Sequence, residues 1–475
     1  MNNKESQLKS GFKWSSIDSV AMLLVKVIRG LIIPILLTPA QYGLFTSVGI
    51  FTRYLQFSDF GARQYLAKNL PGTILKKSPR SKDLMLNEVL SFIFLSFILV
   101  FLYLVMIALF YEGENESFYQ SAIILLIPIT LFAKSSEIIS TYALSHMNYR
   151  VSSTANIIRN ITSFTIVVSG VYFYGAIGGI FGLIFVELIV FGYLFKRVPF
   201  KFKVILNKSV FKNIKSYLKL FAVSISETII NTYDSILIIV LLTSNELGLL
   251  SLGTTFGWPF IALSSVFITT IQPEINKYIQ SDQLKVDKIF NKYFQVFLII
   301  CSALVNFIFI AQFLLIKYYY VDYEIGLNIY FLLSGTYILR SSNILIRQYI
   351  IAKNKEYGFV INSWVIIGLA VVLGLLTHLL NLNLFNLIYF IFFFDILFLI
   401  INLSLIKNMS SNWIKISRFL FKTISYLILN ILLVHILFVY YNEKFLILFL
   451  IAFLFGIYPI IELRKAYKRF IFAYD

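Results

Sequence analysis

The chain has 475 residues, of which 59% are hydrophobic, 17% aromatic and only 13% charged, with a formal net charge of +18. Such a composition cannot cover the surface of a soluble domain with polar groups, so it excludes an ordinary globular protein and describes a polytopic membrane protein. The charge does not point to a nucleic-acid partner, because no soluble basic domain is present to display it.

Apolar runs of about 20 residues, the length that crosses a ~30 Å hydrocarbon core, follow one another from Trp14 almost to the end. They do not alternate apolar and polar residues as barrel strands would, so helices are the spanning element. Fourteen transmembrane helices are expected, at 14–37, 44–67, 87–110, 119–145, 151–173, 176–195, 220–241, 247–271, 293–316, 325–350, 357–378, 383–406, 420–440 and 445–461. The first run contains Asp18, Lys26 and Arg29 and no small-residue cleavage site, which argues against a cleavable signal peptide. With both termini cytoplasmic, 32 of the 41 Lys and Arg fall on the cytoplasmic side, among them Lys76, Lys77, Arg80 and Lys82 in one loop. The opposite side holds Lys317 and Lys444 and the acidic loop "YEGENES". This asymmetry accounts for most of the net charge.

Several absences narrow the function. Cys301 is the single cysteine, His146, His378 and His435 are isolated, and no phosphate-loop motif occurs, so neither a metal, a cofactor nor ATP hydrolysis is expected. The outer loops are too short to hold a catalytic domain, and Asp322-Tyr323-Glu324 reads as an interfacial loop among tyrosines. The chain is therefore expected not to be an enzyme.

What remains is charge inside the spans, which is costly in a bilayer and by default faces protein or a watery cavity. The basic members are Lys26, Arg29, Arg53, Arg63, Lys134, Arg159 and Arg340; the acidic ones are Asp18, Asp59, Glu137, Glu187, Glu227, Asp234 and Asp395. On ideal helices Asp18, Lys26 and Arg29 share an arc of about 80°, and Arg53, Gln56, Asp59 and Arg63 one of about 120°. Glu227, Asn231 and Asp234 share about 40° on span seven, an acidic stripe. Lys134 with Glu137 and Arg63 with Asp59 are spaced to pair locally, whereas Lys26, Arg29 and Arg53 have few acids nearby. Glu187 and Asp395 stand alone on spans six and twelve; each is either a coupling site for a proton or sodium or a packing carboxylate.

"ILLTPAQYGL" at 35–44 is echoed by "VLLTSNELGL" at 240–249, 205 residues later. Each lies between the first and second span of a six-span unit, which suggests a tandem repeat with a pseudo-two-fold axis along the membrane normal. Three segments follow: an N-lobe at 1–200, a C-lobe at 201–412, and two further helices with a tail at 413–475. Under the offset Arg29 falls on Asp234.

The N-terminal third, "LVKVIRGLIIPILLTPAQYGLFTSVGIFTRYLQFSDFGARQYLAKNLP", has a basic first span, a Y-G-x-F turn and a D-x-G at Asp59 and Gly61. In these features, and in span number and charge layout, the chain resembles the O-antigen flippases of the polysaccharide transporter branch in the multidrug/oligosaccharidyl-lipid/polysaccharide (MOP) exporter superfamily. The resemblance implies two six-helix, MATE-like lobes in a V, and passage of undecaprenyl-pyrophosphate-linked oligosaccharide to the outer leaflet of a bacterial inner membrane. That material would serve O-antigen, lipopolysaccharide or similar surface polysaccharide, with membrane lipids, a polymerase and a chain-length regulator as partners. The pyrophosphate would meet Lys26, Arg29 and Arg53. Asp18, Gln56, Arg63, Arg159, Glu227, Asn231, Asp234 and Arg340 would supply the remaining polar groups of the cavity. The alternatives are a cation-coupled drug or metabolite antiporter of the same fold and, against the short outer loops, an integral glycan-assembly enzyme.

Overall fold

A computed structural model describes residues 2–407, apart from 76–78, 111, 113, 114, 147, 200–202, 204–207, 212, 279–282, 354, 381 and 382. Expected spans thirteen and fourteen and the tail lie outside the described residues. The described chain is helical, with fourteen α-helices, two short 3-10 segments, a π-helical turn, and no strand. Its contacts divide it into two compact units, Met1–Thr232 and Tyr233–Asp475.

Unit one contains α1 (Asn2–Leu36), α2 (Pro39–Leu55), α3 (Ala62–Leu75), α4 (Pro79–Phe110), α5 (Glu116–Ser145), α6 (Tyr149–Thr162), α7 (Val168–Arg197) and α8 (Ile214–Ile230). Helix α1 packs along α6, α5 lies between α4 and α7, and α3 rests on α4, α5 and α8. Expected spans five and six lie within 149–197, with the break between them at Gly175. A π-helical turn, Ser163–Val167, joins α6 to α7, and Gly175 then adopts φ 63°, ψ −152°. Backbone atoms of Gly170 and Gly178 touch, so the chain doubles back at Gly175; a straight helix would hold them ~12 Å apart.

Two spans expected to be continuous are broken. Span two ends as α2 at Leu55 and restarts as α3 at Ala62, with Phe60 at φ 46° and Gly61 at φ 86° between them. Gly61 is required twice, by its positive φ and because a Cβ there would lie 2.3 Å from the carbonyl oxygen of Tyr217 on α8. Phe57 and Phe60 pack on Phe221 of the same helix. Span seven splits into α8 and α9 (Tyr233–Leu241), with Asn231 and Thr232 between them. Glu227, Asn231 and Asp234, expected as one stripe on a continuous helix, therefore do not lie on one helix: α8 ends at Ile230 and α9 begins at Tyr233. The division between units falls in this break.

Unit two holds α9, α10 (Ser244–Tyr278), α11 (Gln283–Tyr319), α12 (Leu327–Ala352), α13 (Glu356–Leu379) and α14 (Leu384–Lys407). Helix α12 is its central strut: the Ile329–Ile351 segment is 89% buried, against 28% for Met85–Phe110 of α4. Helix α10 packs closely on α12 through Gly253 and Gly257. A Cβ at Gly253 would sit 2.4 Å from Leu333, and one at Gly257 2.3 Å from Tyr337. This small-xxx-small spacing lets two backbones approach where no hydrophobic effect drives them together.

The echoed loops fold alike. Thr38 caps α2: its Oγ1 accepts from the Gln41 amide at 3.4 Å, and Gln41 Oε1 accepts from the Thr38 amide at 3.4 Å. Thr243 caps α10 in the same way, accepting from the Glu246 amide at 3.4 Å while its own amide donates to Glu246 Oε2 at 2.9 Å. The repeated threonine is thus an N-cap and the residue three places on closes a capping box. Eight described helices are long and apolar enough to cross a membrane, or nine with the bent pair α8 and α9.

Candidate functional site

In unit one Lys26 and Arg29 of α1 and Arg53 of α2 lie close enough to act on one another electrostatically. Lys26 and Arg29 are half-buried and Arg53 is exposed. Arg29 is held by a neutral group: its guanidinium donates to the hydroxyl of Ser163, the first residue of the π-helical turn. It has no carboxylate partner among the described residues. Three cations converging within the membrane repel one another unless water or an anion joins them.

Arg159, Lys134 and Arg63 of unit one form ion pairs. Arg159 grips Glu187 with two bonds of 2.9 Å, and Arg159 Nη1 donates to Asn156 Oδ1 at 3.3 Å. Asn156 in turn donates to Asp18 at 2.8 Å, so α6 ties α1 to α7. Glu187 therefore does not stand alone. Lys134 donates to Asp59 at 2.9 Å and to Glu137 at 3.3 Å, and also to the backbone carbonyl of Gln56. Arg63 completes the group at 3.4 Å from Glu137 and 3.8 Å from Asp59. This cluster has a structural cause. Breaking span two strands the Gln56 carbonyl and the Gly61 amide, and Lys134 satisfies the first while Asp59 accepts from the second at 3.0 Å.

A pocket of about 150 Å³ opens between these two clusters, lined by Thr52, Gln56, Ile129, Thr130, Ala133, Lys134, Glu137, Arg159, Leu183 and Glu187. It had no sequence signal, since its walls come from four helices.

In unit two Arg340 is only 3% exposed and binds Asp234 at 2.9 Å and Asp395 at 2.8 Å, both 1% exposed. Its guanidinium also lies 5.1 Å from the ring of Tyr233 and 5.5 Å from that of Tyr337. The Tyr233 hydroxyl donates to Asp395 at 3.3 Å. Asp395, like Glu187, is partnered, and Arg340 is buried in the interior of its unit. A second cluster, Asp287 with Lys353 at 2.7 Å and the Tyr349 hydroxyl at 2.6 Å, ties α11 to α12. Glu227 and Asn231 close the last turn of α8, where the Asn231 amide donates to the Glu227 carbonyl at 3.2 Å. Among the described residues no His, Cys, Asp and Glu group has a metal-binding arrangement.

A family model described as "polysaccharide biosynthesis protein" matches residues 32–323, more than half of the chain. The chain belongs to that family. No curated protein matches it by sequence. Among solved structures it resembles the lipid II flippase MurJ in an inward closed conformation, with a TM-score of 0.66 and 16% identity over 96% of this chain and 99% of that one. It also resembles an inward-facing multidrug-resistance MATE transporter of the MOP superfamily, at TM-score 0.54 and 13% identity over 84% and 98%. A MATE transporter of Vibrio cholerae gives 0.57 at 11% identity over 87% and 99%. This member of the family is therefore a multi-pass membrane protein of the MurJ and MATE fold, helical and without strands among its described residues.

Proposed function

We propose that the protein flips an undecaprenyl-pyrophosphate-linked oligosaccharide, an O-antigen or similar surface repeat unit, from the cytoplasmic to the periplasmic leaflet of a bacterial inner membrane by alternating access. Both termini are cytoplasmic, and a polymerase and chain-length regulator take the unit onward. The observation that carries this reading is the convergence of Lys26, Arg29 and Arg53, with Arg29 anchored by a hydroxyl and by no carboxylate. A pyrophosphate head would bring anionic oxygens to this cluster through charge-assisted bonds, and a guanidinium fork matches them. Outward movement of the anionic head across an inside-negative potential is downhill by roughly 2.3 kcal/mol per charge per 100 mV.

The test is deletion of the gene, with expected loss of surface polysaccharide and accumulation of the lipid-linked unit. Restoration of normal polysaccharide by Lys26→Ala/Arg29→Ala/Arg53→Ala at native expression would overturn the basic-cluster mechanism.

A cation-coupled antiporter is the second reading. It is favoured by the two buried carboxylates that share one guanidinium in unit two, which leaves a net negative charge for a proton or sodium ion at Asp234 and Asp395. Charge-neutral variants Asp234→Asn and Asp395→Asn that abolish ion-driven transport, with the basic cluster dispensable, would select it.

A further inference from the structure

We infer that the pocket between α2, α5, α6 and α7 binds a single neutral sugar ring, the one attached to the pyrophosphate; this rests on the reading of Lys26, Arg29 and Arg53 given above. At about 150 Å³ it holds the volume of about five waters, which suits one ring and no chain. Its wall carries Lys134 and Arg159 against Glu137 and Glu187, so its charges cancel. An anionic phosphate there would meet two carboxylates, and a cationic drug would meet an ammonium and a guanidinium. A polyol avoids both penalties.

The free hydrogen-bonding capacity matches hydroxyl donors. The Thr52 and Thr130 hydroxyls donate to the Val48 and Leu126 carbonyls at 2.8 and 2.7 Å, so each presents only lone pairs. Glu137 makes its bonds through Oε2, leaving Oε1 as an acceptor on a side chain 20% exposed. The exposed Gln56 amide adds a donor and an acceptor at the mouth. Ile129, Ala133 and Leu183 form an apolar floor for the C–H face of a ring.

Position supports the pairing with the cations. Arg53 lies between Thr52 and Gln56 in sequence, and Arg159 lies one helical turn before Ser163, the residue that holds Arg29. The sugar nearest the lipid is bonded directly to the pyrophosphate, so adjacent sites for ring and head are what such a ligand needs.

The full-length protein in lipid nanodiscs is titrated with bare polyprenyl pyrophosphate and with the same lipid carrying one hexose, using glucose, galactose and their N-acetylamino forms in parallel. The wild type is expected to bind at least one sugar-bearing lipid about tenfold more tightly than the bare lipid, the effect of one or two well-placed hydrogen bonds. Ala133→Leu, which fills the floor, brings that ratio close to one and leaves affinity for the bare lipid unchanged. Thr52→Val, which removes one acceptor, lowers the ratio and reports the same property if the larger substitution does not fold. A wild-type ratio of one for every sugar, or a ratio that survives in each folded variant, overturns the sugar pocket while the basic cluster stands. Failure to bind even the bare lipid overturns both readings.

Discussion

At the scale of residues, many of the intramembrane charges hold the protein together through contacts remote in sequence. Asp59 could be read from sequence as an i,i+4 partner of Arg63, yet its closer partner is Lys134, 75 residues away. No local spacing reveals that contact, because it exists to satisfy backbone groups stranded by a break in span two. Arg340 is the most exacting of the structural charges. Arg340→Ala leaves Asp234 and Asp395 buried with no counter-charge, at a cost of about 3–5 kcal/mol. A large fall in melting temperature in detergent is expected, and Arg340→Ala combined with Asp234→Asn and Asp395→Asn should recover part of it. Arg29→Lys keeps the charge and loses the fork; transport is expected to fall several-fold with the melting temperature unchanged, because Arg29 binds a hydroxyl and not a buried carboxylate.

At the scale of elements, the echoed loops illustrate what a pattern of letters can and cannot convey. The shared Leu-Leu-Thr and Gly suggested a repeat, and the structure gives the physical basis: Thr38 with Gln41 and Thr243 with Glu246 build equivalent capping boxes. Thr38→Ala and Thr243→Ala are each expected to cost about 1 kcal/mol, and their effects should add, since the caps lie in separate units. Chemical-denaturant titration of the two single variants and the double variant measures this. The packing role of Gly253 and Gly257, by contrast, emerged only with their partners on α12. Gly257→Leu would drive a side chain into Tyr337, already 2.3 Å from a bare Cβ. Loss of monodisperse protein on size-exclusion chromatography is the expected outcome.

At the scale of the whole molecule, topology can be checked with the chain's own chemistry. Cys301 is fully buried, so the native protein should resist a membrane-impermeant maleimide. With both termini cytoplasmic, Ser117→Cys should label from the periplasm of intact cells, and Lys203→Cys only after the inner membrane is opened. The reverse pattern would invert the orientation and make the potential-driven direction of transport wrong.

Composition, hydrophobic run length and the distribution of Lys and Arg determined by themselves that this is a helical, multi-pass membrane protein, because a bilayer imposes constraints that depend on the count and order of residues. They also singled out Lys26, Arg29 and Arg53 as basic residues inside the first two spans with few acids nearby. Only the tertiary structure decided where spans two and seven break, that Glu187 and Asp395 are each held by an arginine, and that a pocket opens between the Lys134 and Arg159 clusters. Those features arise from contacts between residues distant in sequence, where one stranded carbonyl or one buried carboxylate determines which helix must come to meet it.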